Sequence, residues 1–577
     1  MEKWRFFVKF LHVLACLISF SNPLYLTADI KKWTQAEWNT IYSEPLLLPE
    51  LCGVALSEYQ VSGAHYCPHS NWAAWEAQGT HRGHPTIHNN ECSGKACDFW
   101  QLWPQDISLI QDLGCNALRI SIEWSAIESA EGEFCQEALQ HYIDMIDALI
   151  AQGITPMITL HHFTHPQWFE DKGGFAQEAN IFYFVRFCEY VFTHLADKVR
   201  LWCTINEIGP FVFEGYIEGV FPPGKVMALR QAALVMRNML KAHCDVYRAL
   251  KKLPHGQEAQ IGLVHQYAPF ESYSSYRSSM LKSVGTYTLL MALGSILPIG
   301  TYDHTLLINN RQIYSQGDVI PLSDNAIYKC LLATGTIIAG FNLLEKIPTA
   351  FMNYIFNDAM LHFLQTGTLF PYIPGWRMTI ADAPQCYDFI GLNVYSRMVM
   401  RSRVCDALCL KPAPEPEFPV VYPSGKDGEL MTSMPYAICP ESLYEGIVQL
   451  SKLGKPIYIT ENGVADTYDV YRGMYIKSYL YALSKALYDG YDVRGYFYWS
   501  LLDNFEWNRG YSQKFGLYDV DLVTQKRTLK RGAQVYKDLI QTATRIRPVT
   551  VICNTSTTIS AIDNLLFFIL KKIFTKK

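Results

Sequence analysis

Several things are scarce in this chain, and each scarcity excludes a class of protein. Charged residues fill only 18% of the 577 positions, with 49 Lys and Arg set against 54 Asp and Glu. A net charge of −5 and a pI near 6.4 give nucleic acid no electrostatic reason to bind. The 16 cysteines are scattered without a repeated Cys-x-x-Cys pair or a compact framework. They read as small buried thiols in a reducing compartment rather than as disulfides or zinc ligands. His-Glu-x-x-His and a Ser-centred nucleophile elbow are both missing, so neither metal-assisted nor acyl-transfer chemistry is invited. The first apolar run is followed by "YQVSGAH", which is no Gly-rich phosphate turn, and no dinucleotide or other cofactor is expected.

Aromatic side chains, by contrast, make up 14% of the chain, enough for a large core and much ring surface. Between Gly53 and Ser500 stand eight short apolar runs. They are "CGVALSEYQ" (52–60), "NALRISIEW" (116–124), "ITPMITLHH" (154–162), "RLWCTINE" (200–207), "QIGLVHQYA" (260–268), "YDFIGLNVY" (387–395), "PIYITENG" (456–463) and "RGYFYWS" (494–500). Helical periodicity occupies several of the gaps, as over Glu137–Ala151, Ile181–Leu195 and Met227–Leu250. Eight strands alternating with helices predict an α/β fold, a single (β/α)8 TIM barrel over 29–548, in preference to a doubly wound open sheet.

Three segments stand apart from that barrel. Residues 1–28 are basic and then apolar, and the readings of signal peptide, short membrane anchor and amphipathic extension all stay open. The tail 549–577 contains "LLFFILKKIFTKK", suited to an anionic membrane surface or to a frayed terminal helix. The connector 271–353 contains two uncharged stretches, 283–302 and 330–344, and is expected to be a largely helical insertion between strands 5 and 6. A hairpin packed on the barrel is expected there, with peripheral membrane contact through 283–344 as the alternative; it could border the leaving-group side and favour apolar aglycones. The compartment is accordingly read as intracellular with membrane association, or as secreted through the N-terminal segment.

The polar cargo of the runs points to a site. Gln60, His162, Asn206, Glu207, Asn393, Tyr395, Glu461 and Trp499 all stand at or near the C-terminal end of a run. In a barrel those ends converge on one face. A lone His or Trp there would be ordinary packing, but so many chemically loaded ends are not. In "KPIYITENG" a carboxylate, Glu461, closes an apolar strand before Asn462-Gly463, which reads as the turn that stops it. Two strand-closing carboxylates without a metal, among Trp, Asn, Gln and His, suit cleavage of a glycosidic bond. The substrate expected is therefore a carbohydrate or glycoside, with no nucleic acid.

"TINE" at 204–207, "ITENG" at 459–463 and "YWSLLDNFEW" at 498–507 resemble the signatures of glycoside hydrolase family 1, the retaining β-glycosidases. The likeness extends from "CGVALSEYQVSG" to "LKRGAQVYKDLI". It implies Glu207 as acid/base and Glu461 as nucleophile, with Asn206 on the sugar 2-hydroxyl. Tyr395 and Arg119 would hold the Glu461 carboxylate. Gln60, His162, Glu506 and Trp507 would grip sugar hydroxyls, Asn393 would join them, and Trp499 would be the stacking platform. The implied activity is hydrolysis of terminal β-D-glucosides, with β-galactosides as further substrates. Transglycosylation, a 6-phospho-β-glycosidase and a non-enzymatic carbohydrate-binding barrel are the alternatives. Two departures stand out: Ile208 follows Glu207 where the family usually has Pro, and Phe163 follows His162 where an indole is common.

Overall fold

Each of the eight runs forms a strand of one closed parallel barrel. The strands are β1 Leu51–Ala55, β2 Ala117–Ser121, β3 Thr155–Thr159, β4 Leu201–Asn206, β5 Gln260–Gln266, β6 Phe389–Asn393, β7 Ile457–Asn462 and β8 Val493–Trp499. They are ordered around the barrel as in the chain, and β8 pairs with β1 to close it. The computed structural model describes residues 30–273, 343–369, 377–402, 421–424, 426 and 428–546. Residues 1–28, the tail 549–577 and most of the 271–353 connector, including both uncharged stretches except for the helical residues 343–344, lie outside the described residues.

The strands are apolar on both faces because both faces are covered, as parallel sheets require. Ala55, Ala117, Met157, Leu201, Cys203, Val264, Phe389, Tyr458 and Phe497 fill the inside of the barrel. Ile120, Ile158, Trp202, Leu263, Ile390 and Ile459 belong instead to the larger core shared with the helices. The helix Ile181–Leu195 has the expected bounds, while its neighbours run Gln136–Ala151 and Leu229–Leu250. Among the described residues no helix is long and apolar enough to cross a membrane.

Two expectations at strand ends need correction. Gln60 and His162 are not strand residues. β1 ends at Ala55 and Gln60 lies in the helix Glu58–Tyr66, while β3 ends at Thr159 and His162 sits in the loop after it. The apolar runs continue past the strands because these loops are buried at the barrel mouth. Asn462-Gly463 is not a flexible turn either. Asn462 is the last residue of β7 and fully buried, donating to the Val394 carbonyl at 2.5 Å and to the Tyr475 hydroxyl at 3.0 Å. It also accepts from the Tyr496 hydroxyl at 2.9 Å. Gly463 is required by close approach, since a Cβ there would stand 1.8 Å from the Trp499 carbonyl oxygen.

Candidate active site

The strands that deliver the two glutamates are irregular where they deliver them. Pairing of β7 with β6 and β8 shifts register around Thr460–Asn462, and pairing of β4 with β5 shifts between Cys203 and Asn206. Such bulges break the in-out alternation of a strand and re-aim side chains. Glu207 follows β4 in the left-handed region, φ 48° and ψ 68°, immediately before the helix Ile208–Phe213. Ile208 is the first residue of that helix and is buried, with Pro210 in the same turn, so replacing the family's proline leaves the helix start intact.

Glu461 is 4% exposed and held from two sides. Arg119, inside the barrel on β2, donates from Nη1 to its Oε1 at 2.5 Å, and the Tyr395 hydroxyl donates to Oε2 at 2.6 Å. Tyr395 is itself fixed through its carbonyl, which accepts from the Tyr475 and Tyr479 hydroxyls at 2.9 and 2.7 Å. Arg119 also donates to Thr159 Oγ1 at 3.1 Å and to Asn206 Oδ1 at 2.7 Å. Arg119 thus pairs with Glu461 inside the barrel while its other N–H groups are spent on Thr159 and Asn206.

Glu207 has no such cation against it. Its Oε1 accepts from Asn393 Nδ2 at 2.7 Å, and Asn393 accepts in turn from Thr460 Oγ1 at 2.6 Å. Asn393 Nδ2 also reaches Asn206 Oδ1 at 3.2 Å, so both ends of this amide are occupied by protein. Asn393 therefore fixes the Glu207 carboxyl in place. Burial, and then the negative charge of Glu461, push the Glu207 carboxyl up to about 8. The two carboxyls thus lie within one electrostatic field, one neutralised by arginine and one by its own proton.

The remaining predicted residues surround this pair. Asn206 Nδ2 lies 3.3 Å from His162 Nε2, and that nitrogen is 3.9 Å from Glu461. Burial, followed by the charge of Arg119, holds His162 neutral. Its ring stacks near Trp499, with centroids 5.8 Å apart and planes at 20°, and Trp507 is 6.2 Å away at 22°. Gln60 Nε2 donates to the Phe505 carbonyl at 3.0 Å and to Glu506 Oε2 at 3.2 Å. Burial and the charge of Glu461 push Glu506 up to about 8 as well. Phe163, at φ 68°, packs its ring 5.4 Å from Trp507.

Gln60 Oε1 and His162 Nδ1 are buried without a protein partner. Polar atoms left unmatched by protein in this way are costly unless water or a ligand meets them. Gln266 Oε1 belongs to the same class, and sequence reasoning did not single it out. Its signal was parity: Gln266 lies two positions after Val264, an inward residue, and strand side chains alternate. Tyr436, half-buried within the fields of Glu506 and Glu207, was not singled out either, because it comes from a loop after β6 that carries no strand pattern. Among the described residues no group of three or more His, Cys, Asp and Glu could hold a metal ion.

Comparison with known proteins places this geometry. The family model described as glycosyl hydrolase family 1 matches residues 48–333 and 355–545. A curated relative, "Beta-glucosidase A" of Thermotoga maritima, is 27% identical over 504 residues, covering 85% of this chain and 96% of its own. "6-phospho-beta-galactosidase" of Streptococcus mutans is 28% identical over 520 residues, covering 85% and 97%. A solved structure of the Thermotoga maritima β-glucosidase in complex with deoxynojirimycin superposes with a TM-score of 0.65 at 25% identity, covering 86% of this chain and 98% of that one. The family model spans most of the chain, and the chain forms the closed eight-stranded barrel described above: this chain belongs to glycosyl hydrolase family 1.

Proposed function

We propose that the chain is a retaining β-glycosidase acting on terminal β-D-glucosides, and on β-galactosides as a secondary class, through a covalent glycosyl-enzyme intermediate. In the first step Glu461 attacks the anomeric carbon while Glu207 gives its proton to the leaving oxygen, and the carbon–oxygen bond to the leaving group breaks. In the second step Glu207, now a carboxylate, takes a proton from water as the water oxygen attacks the same carbon and Glu461 departs. Asn206 holds the 2-hydroxyl, Gln60, His162, Glu506 and Trp507 bind the other hydroxyls, and Trp499 forms the platform under the ring.

The observation that carries this reading is the opposite treatment of two buried glutamates. Arg119 and Tyr395 clamp Glu461 as an anion, whereas burial and the Glu461 charge keep Glu207 protonated. A nucleophile and an acid are thereby prepared together. A 6-phosphorylated sugar is the second reading, and the neutral sugar is preferred because Glu506-Trp507 is followed by Asn508-Arg509-Gly510, without the Ser-x-Lys-x-Tyr-like phosphate grip that the resemblance associates with 6-phospho-glycosidases.

The test compares wild type with Glu461→Ala and Glu207→Ala on a panel of aryl β-glycosides. Glu461→Ala should be nearly inactive on all of them. Glu207→Ala should lose about 10²–10⁴-fold on poor leaving groups and much less on good ones, which need little proton donation. Equal losses across the panel would remove Glu207 from the acid role. A wild type inert on every β-glycoside would end the proposal.

A further inference from the structure

β5 is the one strand flanked by both elements that hold Glu207. On one side Val264 pairs with Asn206 and its carbonyl accepts the Glu207 backbone N–H at 3.1 Å. On the other, Gln266 pairs in register with Asn393, whose amide grips the Glu207 carboxyl. Val264 and Gln266 lie on the same strand face, and Val264 points into the barrel. Gln266 is therefore the inward side chain at the mouth next to Glu207. Glu461, by contrast, arrives from β7, beyond β6.

Gln266 is half-buried, and its Oε1 is buried without a hydrogen-bond partner. A carboxamide with a committed acceptor would be ordinary at a strand end. One with an orphaned buried oxygen on the acid side of the carboxylate pair is matched to something a ligand supplies. Tyr436 is half-buried within the fields of Glu506, Glu214, Arg509 and Glu207. Glu214, of the segment Glu214–Glu218 that continues the helix after Glu207, is kept protonated by burial and by the Glu218 charge. The group that the strand register itself sets beside Glu207 is the Gln266 amide.

We infer that Gln266 is the specificity-determining contact on the leaving-group side and binds a hydroxyl of a hydroxylated leaving group, so that the preferred substrates are β-linked disaccharides and other glucosides of polyols. The inference rests on the glycosidase reading above and names the other half of its substrate. It runs against the apolar aglycone expected from the 271–353 connector. Because the leaving group and an incoming acceptor occupy the same place, Gln266 also governs transfer. An acceptor hydroxyl oxygen attacks the anomeric carbon of the intermediate, its proton passes to Glu207, and the bond to Glu461 breaks.

Two internal ratios test this, and neither depends on the fraction of folded enzyme. The first is kcat/KM for a β-linked glucose disaccharide divided by that for an aryl β-glucoside. The second is transfer to added glucose divided by hydrolysis, measured with the aryl glucoside as donor. Gln266→Met, close in volume but without the amide, should lower both ratios about tenfold, and Gln266→Asn should restore part of the loss. Unchanged ratios in Gln266→Met would overturn the inference, as would a preference of wild type for long-chain alkyl glucosides over the disaccharide. Should Gln266→Met not fold, the same ratios measured in Gln266→Asn and Tyr436→Phe decide, and wild-type values in both refute the assignment. Failure of the underlying reading looks different: wild type would then cleave neither substrate.

Discussion

Gly463 and Trp499 meet backbone to backbone: a Cβ on the glycine would fall 1.8 Å from the tryptophan carbonyl oxygen. That contact sets the end of β7, which carries Glu461, against the end of β8, which carries Trp499. Gly463→Ala must therefore push one strand end away from the other. Overpacking of this kind costs about 1–3 kcal/mol, and the displacement acts directly on a proposed nucleophile and the platform beside it. The variant should melt several degrees lower and lose at least about 100-fold in kcat. A variant with wild-type kcat would show that the site tolerates the shift.

The alkaline limb of the pH profile should follow Glu207. Its carboxyl is raised to about 8 by burial and by Glu461, so the protonated form needed for the first step persists through neutral pH. For β-glucosides with poor leaving groups, kcat/KM should fall as pH rises through about 8. Glu207→Gln should be slow at every pH and lack that limb. The pH profile of kcat/KM measured for both proteins decides it.

The same shift bears on stability. Glu207 and Glu58 have folded values raised to about 8 from an ordinary 4.5, burial being the chief cause in each. A carboxyl raised in the folded state binds its proton more tightly there than in the unfolded chain. Its contribution is complete below about pH 4.5 and is lost as pH rises through about 8. Thermal unfolding should therefore show Tm falling between pH 5 and pH 9. Glu207→Gln should gain on wild type as the pH increases, and a constant difference would contradict the assignment.

Arg119 and Glu461 should be strongly coupled. Both are buried, Arg119 completely, and they lie 2.5 Å apart. Arg119→Met leaves Glu461 as an unpaired buried charge and should cost about 3–5 kcal/mol. Adding Glu461→Gln should recover much of that stability while activity stays lost. Urea unfolding of the two single variants and the double variant measures the coupling, and additive losses would mean that the pair is dispensable to the fold.

How much of this was legible follows from what each signal depends on. The eight strands were readable because burial on both faces of a parallel sheet leaves continuous apolar runs, a local property. Glu207 and Glu461 were readable because each closes such a run with a residue that packing alone would not choose. Gln60 and His162 were read at strand ends and lie beyond them, since a buried segment continues the apolar pattern of the strand before it. Asn462-Gly463 was misread for the complementary reason. The dipeptide favours turns in isolation, but here three hydrogen bonds and one close backbone approach decide its conformation.

By itself, then, the sequence determined the alternation that builds a barrel and the residue types gathered at its mouth. Only the tertiary structure decided which glutamate keeps its proton, because that depends on burial and on charges brought from other strands. The same holds for Asn393, whose amide is spent on Glu207, and for Gln266, whose direction depends on the face that Val264 turns inward. Patterning is read along the chain, whereas protonation and hydrogen-bond satisfaction are properties of residues hundreds of positions apart that share one low-dielectric space.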